Sequence, residues 1–258
     1  MSFPVYFAIF KLTLRQLFFS KRGLLILSGC ILPLVIAIIF RFYVDRASTV
    51  NSFIPNITFY LYGFLTNICA IFYGTAIVSD EVDGRGLTYL QMRPIKKPVL
   101  LLTKFAAYLI GTVVLIMVSH LLLTGIIETH PKLRERLLVL SMSFVYIGSL
   151  SLGLLAYGAL AVLMSTRFKQ PVIWMLLFVF GWEMVTAIPQ MPVGIKRLAY
   201  KHYLMTLFPE YRLGGDILEN LLGDKPPVVW VAALVVGLLT VGVMWLAIRI
   251  FQEREYLM

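Results

Sequence analysis

Glu183, preceded by Trp182, is the one acid inside the six long apolar runs of this sequence, in the outer half of the run 171–188. A carboxylate at membrane depth costs about 2.5–3.5 kcal/mol on insertion scales, so it must be partnered, protonated or in contact with water. Two roles satisfy that condition. It can belong to a path through the membrane or an interface between subunits, or it can be a structural acid bonded to a neighbouring helix. Asn67, in the middle of the run 57–78, poses the same choice between an interhelical hydrogen bond and a ligand contact. His120, His130 and His202 are scattered, with no carboxylate or cysteine at ligand spacing, which argues against a metal. Cys30 and Cys69 each fall mid-run and read as buried, reduced thiols, too few for a disulfide scaffold. No Ser-His-Asp or Cys-His arrangement stands at recognisable spacing. No GxxxxGK[ST] phosphate loop occurs, and neither Gly84/Gly86 nor Gly214/Gly215 is followed by Lys-Ser or Lys-Thr. The chain reads as non-catalytic, with no cofactor of its own.

The densest chemistry lies in 79–104, SDEVDGRGLTYLQMRPIKKPVLLLTK. Asp80, Glu81 and Asp83 open it, and Arg93-Pro94 and a lysine pair follow. Charge of this density at a helix exit can be a plain solvated loop. Leu87, Tyr89 and Leu90 point the other way, because apolar groups flanked by charge in a connection facing water suit a docking surface for another protein.

The elements that must position these residues follow from composition. Of 258 residues, 60% are hydrophobic and only 14% charged, whereas a soluble domain is nearer half apolar and a quarter charged. Runs able to cross a bilayer as helices fall at 23–42, 57–78, 98–127, 137–164, 171–188 and 227–251. The expected fold is an all-α polytopic membrane protein of six transmembrane helices, a single domain over 1–258. Ahead of the first run, Phe3, Tyr6, Phe7, Phe10, Leu14, Leu17 and Phe18 recur at helical spacing, with Lys11, Arg15 and Gln16 on the other side. Residues 1–22 therefore predict an amphipathic helix lying in the interface. The run 137–164, with Gly148, Ser149, Ser151, Gly153, Ala156, Gly158, Ala159 and Ala161, presents small residues suited to close helix packing. The connection 189–226 carries two apolar stripes, one through Ile195, Leu198, Ala199, His202, Tyr203 and Leu207, the other from Leu213 to Leu222. They predict two short amphipathic helices at the outer leaflet.

The net charge of +10 comes from short basic runs between apolar stretches, which fits membrane loops and anionic lipid better than nucleic acid. With the amino terminus inside, thirteen basic residues face the cytoplasm and ten face out; setting aside the long connection 189–226 leaves thirteen against five. Both termini are expected in the cytoplasm of a cell that carries the chain in its plasma or inner membrane.

Glu81, then Leu87-Thr88-Tyr89-Leu90, then Arg93-Pro94-Ile95, Lys97 and Lys104 resemble the signature of ABC-2-type transporter permeases. In that family a glutamate near the end of the second span precedes a Thr-Tyr-Leu-Leu, Arg-Pro stretch and a lysine that opens the third. Gln91 and Met92 replace the usual leucine-rich pair, Gly86 a frequent Thr, and Lys97 a frequent Arg. About 25 residues are motif-like; over the rest of the chain the likeness is architectural, in its amino-terminal "elbow" helix, six spans, inside termini and outer helices. The resemblance implies a permease subunit of an ABC exporter, with 79–97 as a cytoplasmic coupling loop seated on a separate ATPase. Asp80, Glu81, Leu87, Tyr89, Leu90, Arg93, Pro94, Lys97 and Lys104 would make that coupling. Two ATPase copies carrying ATP and Mg, a second permease copy and membrane lipid are the implied partners. Asn67, Trp182 and Glu183 become candidates for the translocation path or the permease–permease interface. The rivals are a stand-alone secondary transporter, which usually shows repeats and several paired intramembrane charges, and an intramembrane enzyme, which needs polar residues clustered at one depth.

Overall fold

A computed structural model of the chain describes residues 3–44, 47–83, 97–131, 133, 136–186, 188, 191–208 and 227–253. Every regular element among them is a helix. The first, α1, is Phe3–Phe19, and α2 is Lys21–Tyr43. Next comes α3, a continuous rod built from Ala47–Ile57, Thr58–Tyr62, Gly63–Cys69, Ala70–Gly74 and Thr75–Asp83. Then follow α4 (Lys97–Glu128), α5 (Arg136–Arg167), α6 (Pro171–Thr186), α7 (Val193–Lys196), α8 (Tyr200–Thr206) and α9 (Val229–Glu253).

Five of these are long and apolar enough to cross a membrane: α2, the Val50–Asp80 part of α3, α4, α5 and α9. Their outer faces are apolar as well. Phe42, Trp230 and Val241 leave 75%, 67% and 68% of their surface uncovered, a pattern that would aggregate in water and is at home in lipid. This is an all-α membrane protein. The run expected at 171–188 differs from the other five. Its helix ends at Thr186 after 16 residues, about 24 Å at 1.5 Å per residue, against a hydrocarbon core of about 30 Å. The chain there turns tightly, with Ile188 N–H on Val185 C=O (3.2 Å) and Met191 N–H on Ile188 C=O (3.1 Å). Pro189 is the reason, because a proline disfavours helical backbone at the residue before it.

At the α1–α2 joint the Ser20 hydroxyl caps α2 by accepting the Gly23 N–H at 3.0 Å. Gly23 is required there, since a Cβ would overlap the Leu17 and Phe18 carbonyl oxygens. With the joint set, α1 lies against α4, where Leu14 closes over Gly111. The Tyr73 hydroxyl of α3 adds a donated hydrogen bond to Leu17 C=O at 2.8 Å. Lys11, Arg15 and Gln16 stay exposed, as do Phe7, Leu12 and Phe19, while Leu17 is buried, so α1 packs on the bundle by only part of its apolar side.

The hub is α5, which packs against α9, α4, α3 and α6. Its small residues make this possible. Ala156, Ala159 and Ala161 are fully buried, Ala161 faces Gly74 of α3, and Gly158 lies directly beneath the Tyr108 ring of α4. Tyr108 donates to Leu154 C=O at 3.1 Å, so the ring is both wedged and tethered. Without a hydrophobic drive between helices in lipid, such close approach is the main source of association.

A polar tie runs across the first three long helices. Ser119 of α4 donates its hydroxyl to Cys30 C=O of α2 at 2.8 Å. That spends its only proton, so the Tyr62 hydroxyl of α3 must be the donor in their 2.7 Å contact. Nearby, His120 shares a 2.9 Å hydrogen bond with Thr58, and His130 donates to Val44 C=O at 3.0 Å. Replacing Ser119 by Ala breaks both bonds of the tie. The expected loss is about 1 kcal/mol, read as a lower thermal midpoint in detergent, with Ser119→Thr close to the parent.

Candidate functional site

The structure brings the residues singled out by type into two places. The first is a cavity of about 320 Å3 lined from α3, α5, α6 and α8, in which Asn67, Glu183 and Lys201 come together. Two of its walls include π-helical turns, Thr58–Tyr62 and Leu177–Trp182, which contribute Phe59, Tyr60, Val179 and Phe180. Such turns bulge a helix and recur at functional sites. The wall is mostly apolar with a few convergent polar groups, the usual make-up of a site for an amphiphilic molecule.

Glu183 is only 3% exposed, and its partners are explicit. One carboxylate oxygen accepts the Tyr200 N–H and the other the Lys201 N–H, each at 3.0 Å. The Tyr157 hydroxyl bonds the same group. The first N–H groups of any helix lack intrahelical acceptors, and the residue before α8 is Ala199, whose side chain has no oxygen to offer. Glu183 supplies the missing cap from a different helix, with negative charge at the end where it is favoured. The structure thus gives Glu183 bonds to a neighbouring segment and, at the same time, a place on the cavity wall. Burial draws the Lys201 ammonium below the ordinary lysine range, and the Glu183 carboxylate partly draws it back up. Trp182 is 39% exposed and does not line the cavity.

Asn67 stands on the same wall. Its side-chain oxygen is buried at the cavity wall and accepts no hydrogen bond among the described residues. The connection expected to hold outer amphipathic helices is helical at α7 and α8, while its 209–226 portion lies outside the described residues. Tyr200, His202, Leu204 and Met205 are buried, and α8 packs on α9 and α5 instead of lying free on lipid.

The second place is a crevice of about 650 Å3 at the other end of the bundle, between α1, the α1–α2 joint, α3 and α4. Asp80 and Lys104, two of the expected coupling residues, line it together with Arg15, Lys21 and Arg22. Arg22 donates to both Asp80 carboxylate oxygens at 2.9 and 3.0 Å, tying the start of α2 to the end of α3. Lys104 is buried. Lys97 sits elsewhere, its ammonium 3.5 Å from Gln252 C=O on α9. Leu87, Tyr89, Leu90, Arg93 and Pro94 lie outside the described residues, and so does the side chain of Glu81.

Three features escaped the sequence reading. Tyr157 carries no signal, being one more aromatic in an apolar run. Arg22 is one of the thirteen basic residues counted on the inner side, and nothing in the sequence marks Asp80, 58 positions on, as its partner. The π turns leave no pattern in residue type. No group of three His, Cys, Asp or Glu residues that could hold a metal occurs among the described residues. No family model matches the sequence, and no curated protein matches it.

Proposed function

We propose that this chain is the membrane-spanning permease subunit of an ATP-binding cassette exporter of the ABC-2 type. In this reading α6 is a sixth, short crossing, α1 is the elbow helix, and both termini face the cytoplasm of a plasma or inner membrane. Two permease copies pair with two ATPase subunits, which hold the ATP and Mg. Closure of the ATPases rocks the permeases through 79–104.

One observation supports this reading most. The start of α2, just past the helix read as the elbow, is tied by Arg22 to Asp80 in the stretch read as the coupling loop, and the elbow helix is bonded to α3 through Tyr73 on Leu17 C=O, all around a single crevice. A push on the segment that follows Asp80 is thereby applied to α1 and α2 together with α3. Coupling of this kind requires that the two ATPase states bind the stretch with different affinity, since only that difference can bias the membrane helices.

Purification from native membranes tests it. An ATP-hydrolysing subunit should accompany the chain in stoichiometric amount, and Glu81→Lys or Arg93→Glu should reduce its recovery about tenfold or more, as for loss of a charge pair at an interface. A chain that purified alone and moved its substrate without ATP would end this reading.

A further inference from the structure

The crevice at the α1–α2 joint has a composition that coupling to a protein does not account for. Among the described residues its wall carries four basic side chains, Arg15, Lys21, Arg22 and Lys104, against one acid, Asp80. That acid is already held by Arg22. Arg15 and Lys21 are exposed and line the opening. Gln16 adds an amide to the polar wall. The rim is different in character: Leu12 and Phe19, which are 57% and 84% exposed, are among its lining, with buried Ile77 further in. A water-filled pocket for a free anion has no use for uncovered leucine and phenylalanine at its mouth. A site that takes a phosphate between cations and leaves two hydrocarbon tails to lie on apolar side chains needs both features at once.

Its position agrees. The crevice opens where α2 begins and α3 ends, so it lies at the end of the apolar part of both helices, where a bilayer spanned by them would present its headgroups. Its volume of about 650 Å3 exceeds what a phosphodiester alone requires and leaves room for the glycerol that joins it to the tails. Basic pockets between helices at the membrane surface recognise anionic headgroups through charge and hydrogen bonds.

We infer that the crevice between α1, α3 and α4 is a binding site for the anionic phosphate headgroup of a membrane phospholipid, with Arg15 and Lys21 as its principal contacts. The inference is independent of any ATPase partner, because it rests on this chain's own wall and is read without ATP.

The test uses the full chain purified in mild detergent and returned to nanodiscs, with bound lipid counted by native mass spectrometry. The titrants are phosphatidylglycerol and phosphatidylcholine of the same chain length. Phosphatidylglycerol should be retained at least tenfold more tightly than phosphatidylcholine. Arg15→Gln and Lys21→Gln should each cut that preference severalfold, and the double variant should abolish it. Both side chains are exposed, so unchanged thermal midpoints confirm that the variants fold. Lys169→Gln, an exposed lysine away from the crevice, is the control and should leave retention as it is. Equal loss in Lys169→Gln, or no loss in the double variant, would reduce the effect to diffuse surface charge and overturn the site. Inorganic phosphate at millimolar concentration is the remaining arm. If it displaces the lipid as readily from the parent as a soluble ligand would, the site belongs to a free anion and the lipid assignment falls.

Discussion

Gly158→Val abolishes the folded protein, with loss of the monodisperse peak in gel filtration and no cooperative thermal transition. A Cβ at Gly158 already falls inside the contact radius of the Tyr108 ring, and valine adds two methyl groups beyond it. Tyr108 cannot step aside: it is completely buried and its hydroxyl is tied to Leu154 C=O. Overpacking costs about 1–3 kcal/mol when side chains can adjust, and more is expected where the obstacle is wedged at the hub helix. Two companions make the result specific. Gly148→Val, on the same helix but with nothing within 4 Å of its Cβ, should behave like the parent. Tyr108→Leu, which removes the ring, should restore a substantial part of what Gly158→Val lost. Coupling between residues in contact runs to about 0.5–3 kcal/mol. A stable Gly158→Val single variant would show that α4 and α5 do not meet in this way.

Glu183→Ala detaches α8 from the bundle. The substitution leaves the Tyr200 and Lys201 N–H groups and the Tyr157 hydroxyl without their shared acceptor. Each buried, unmet donor costs about 1–3 kcal/mol. Limited proteolysis should open first around Tyr200–Thr206, ahead of global unfolding. Glu183→Gln keeps one oxygen as acceptor and should recover much of the stability. The pair also separates the two roles of this acid. A residue needed only as a cap tolerates Gln in both stability and transport. One that also serves the cavity recovers most of its thermal midpoint in Gln but loses transport. If Glu183→Ala left the proteolysis pattern and melting unchanged, the capping account would be wrong.

Much of the architecture was legible because lipid imposes a length. Four of the long helices reproduce the apolar runs 23–42, 98–127, 137–164 and 227–251 to within a few residues, and a fifth extends the run 57–78 at its start. Composition sees apolar length well. The sixth run, 171–188, is the shortest of the six, and its helix stops two residues before the run does, at Thr186. The small-residue face of 137–164 was readable as packing, and Gly158 and Ala161 now have their opposite numbers in Tyr108 and Gly74. The sites were less legible. Glu183 could be picked out by cost alone, but not its partners, since the N–H groups it holds belong to residues 17 and 18 positions further on and carry no signal of their own. The Arg22–Asp80 tie spans 58 positions, and only folding makes them neighbours.

The polar tie between Cys30, Ser119 and Tyr62 carries a consequence for the order of assembly. All three groups lie within the first 119 residues, so the tie can close once α4 has left the ribosome and entered the bilayer, while α5 is still being made. Chains fold from the amino terminus as they are synthesised, which makes α2, α3 and α4 a unit that forms first. The hub then arrives last among its neighbours on that side. Its alanine and glycine face must slot beneath a tyrosine already in place, rather than recruit loose helices around itself.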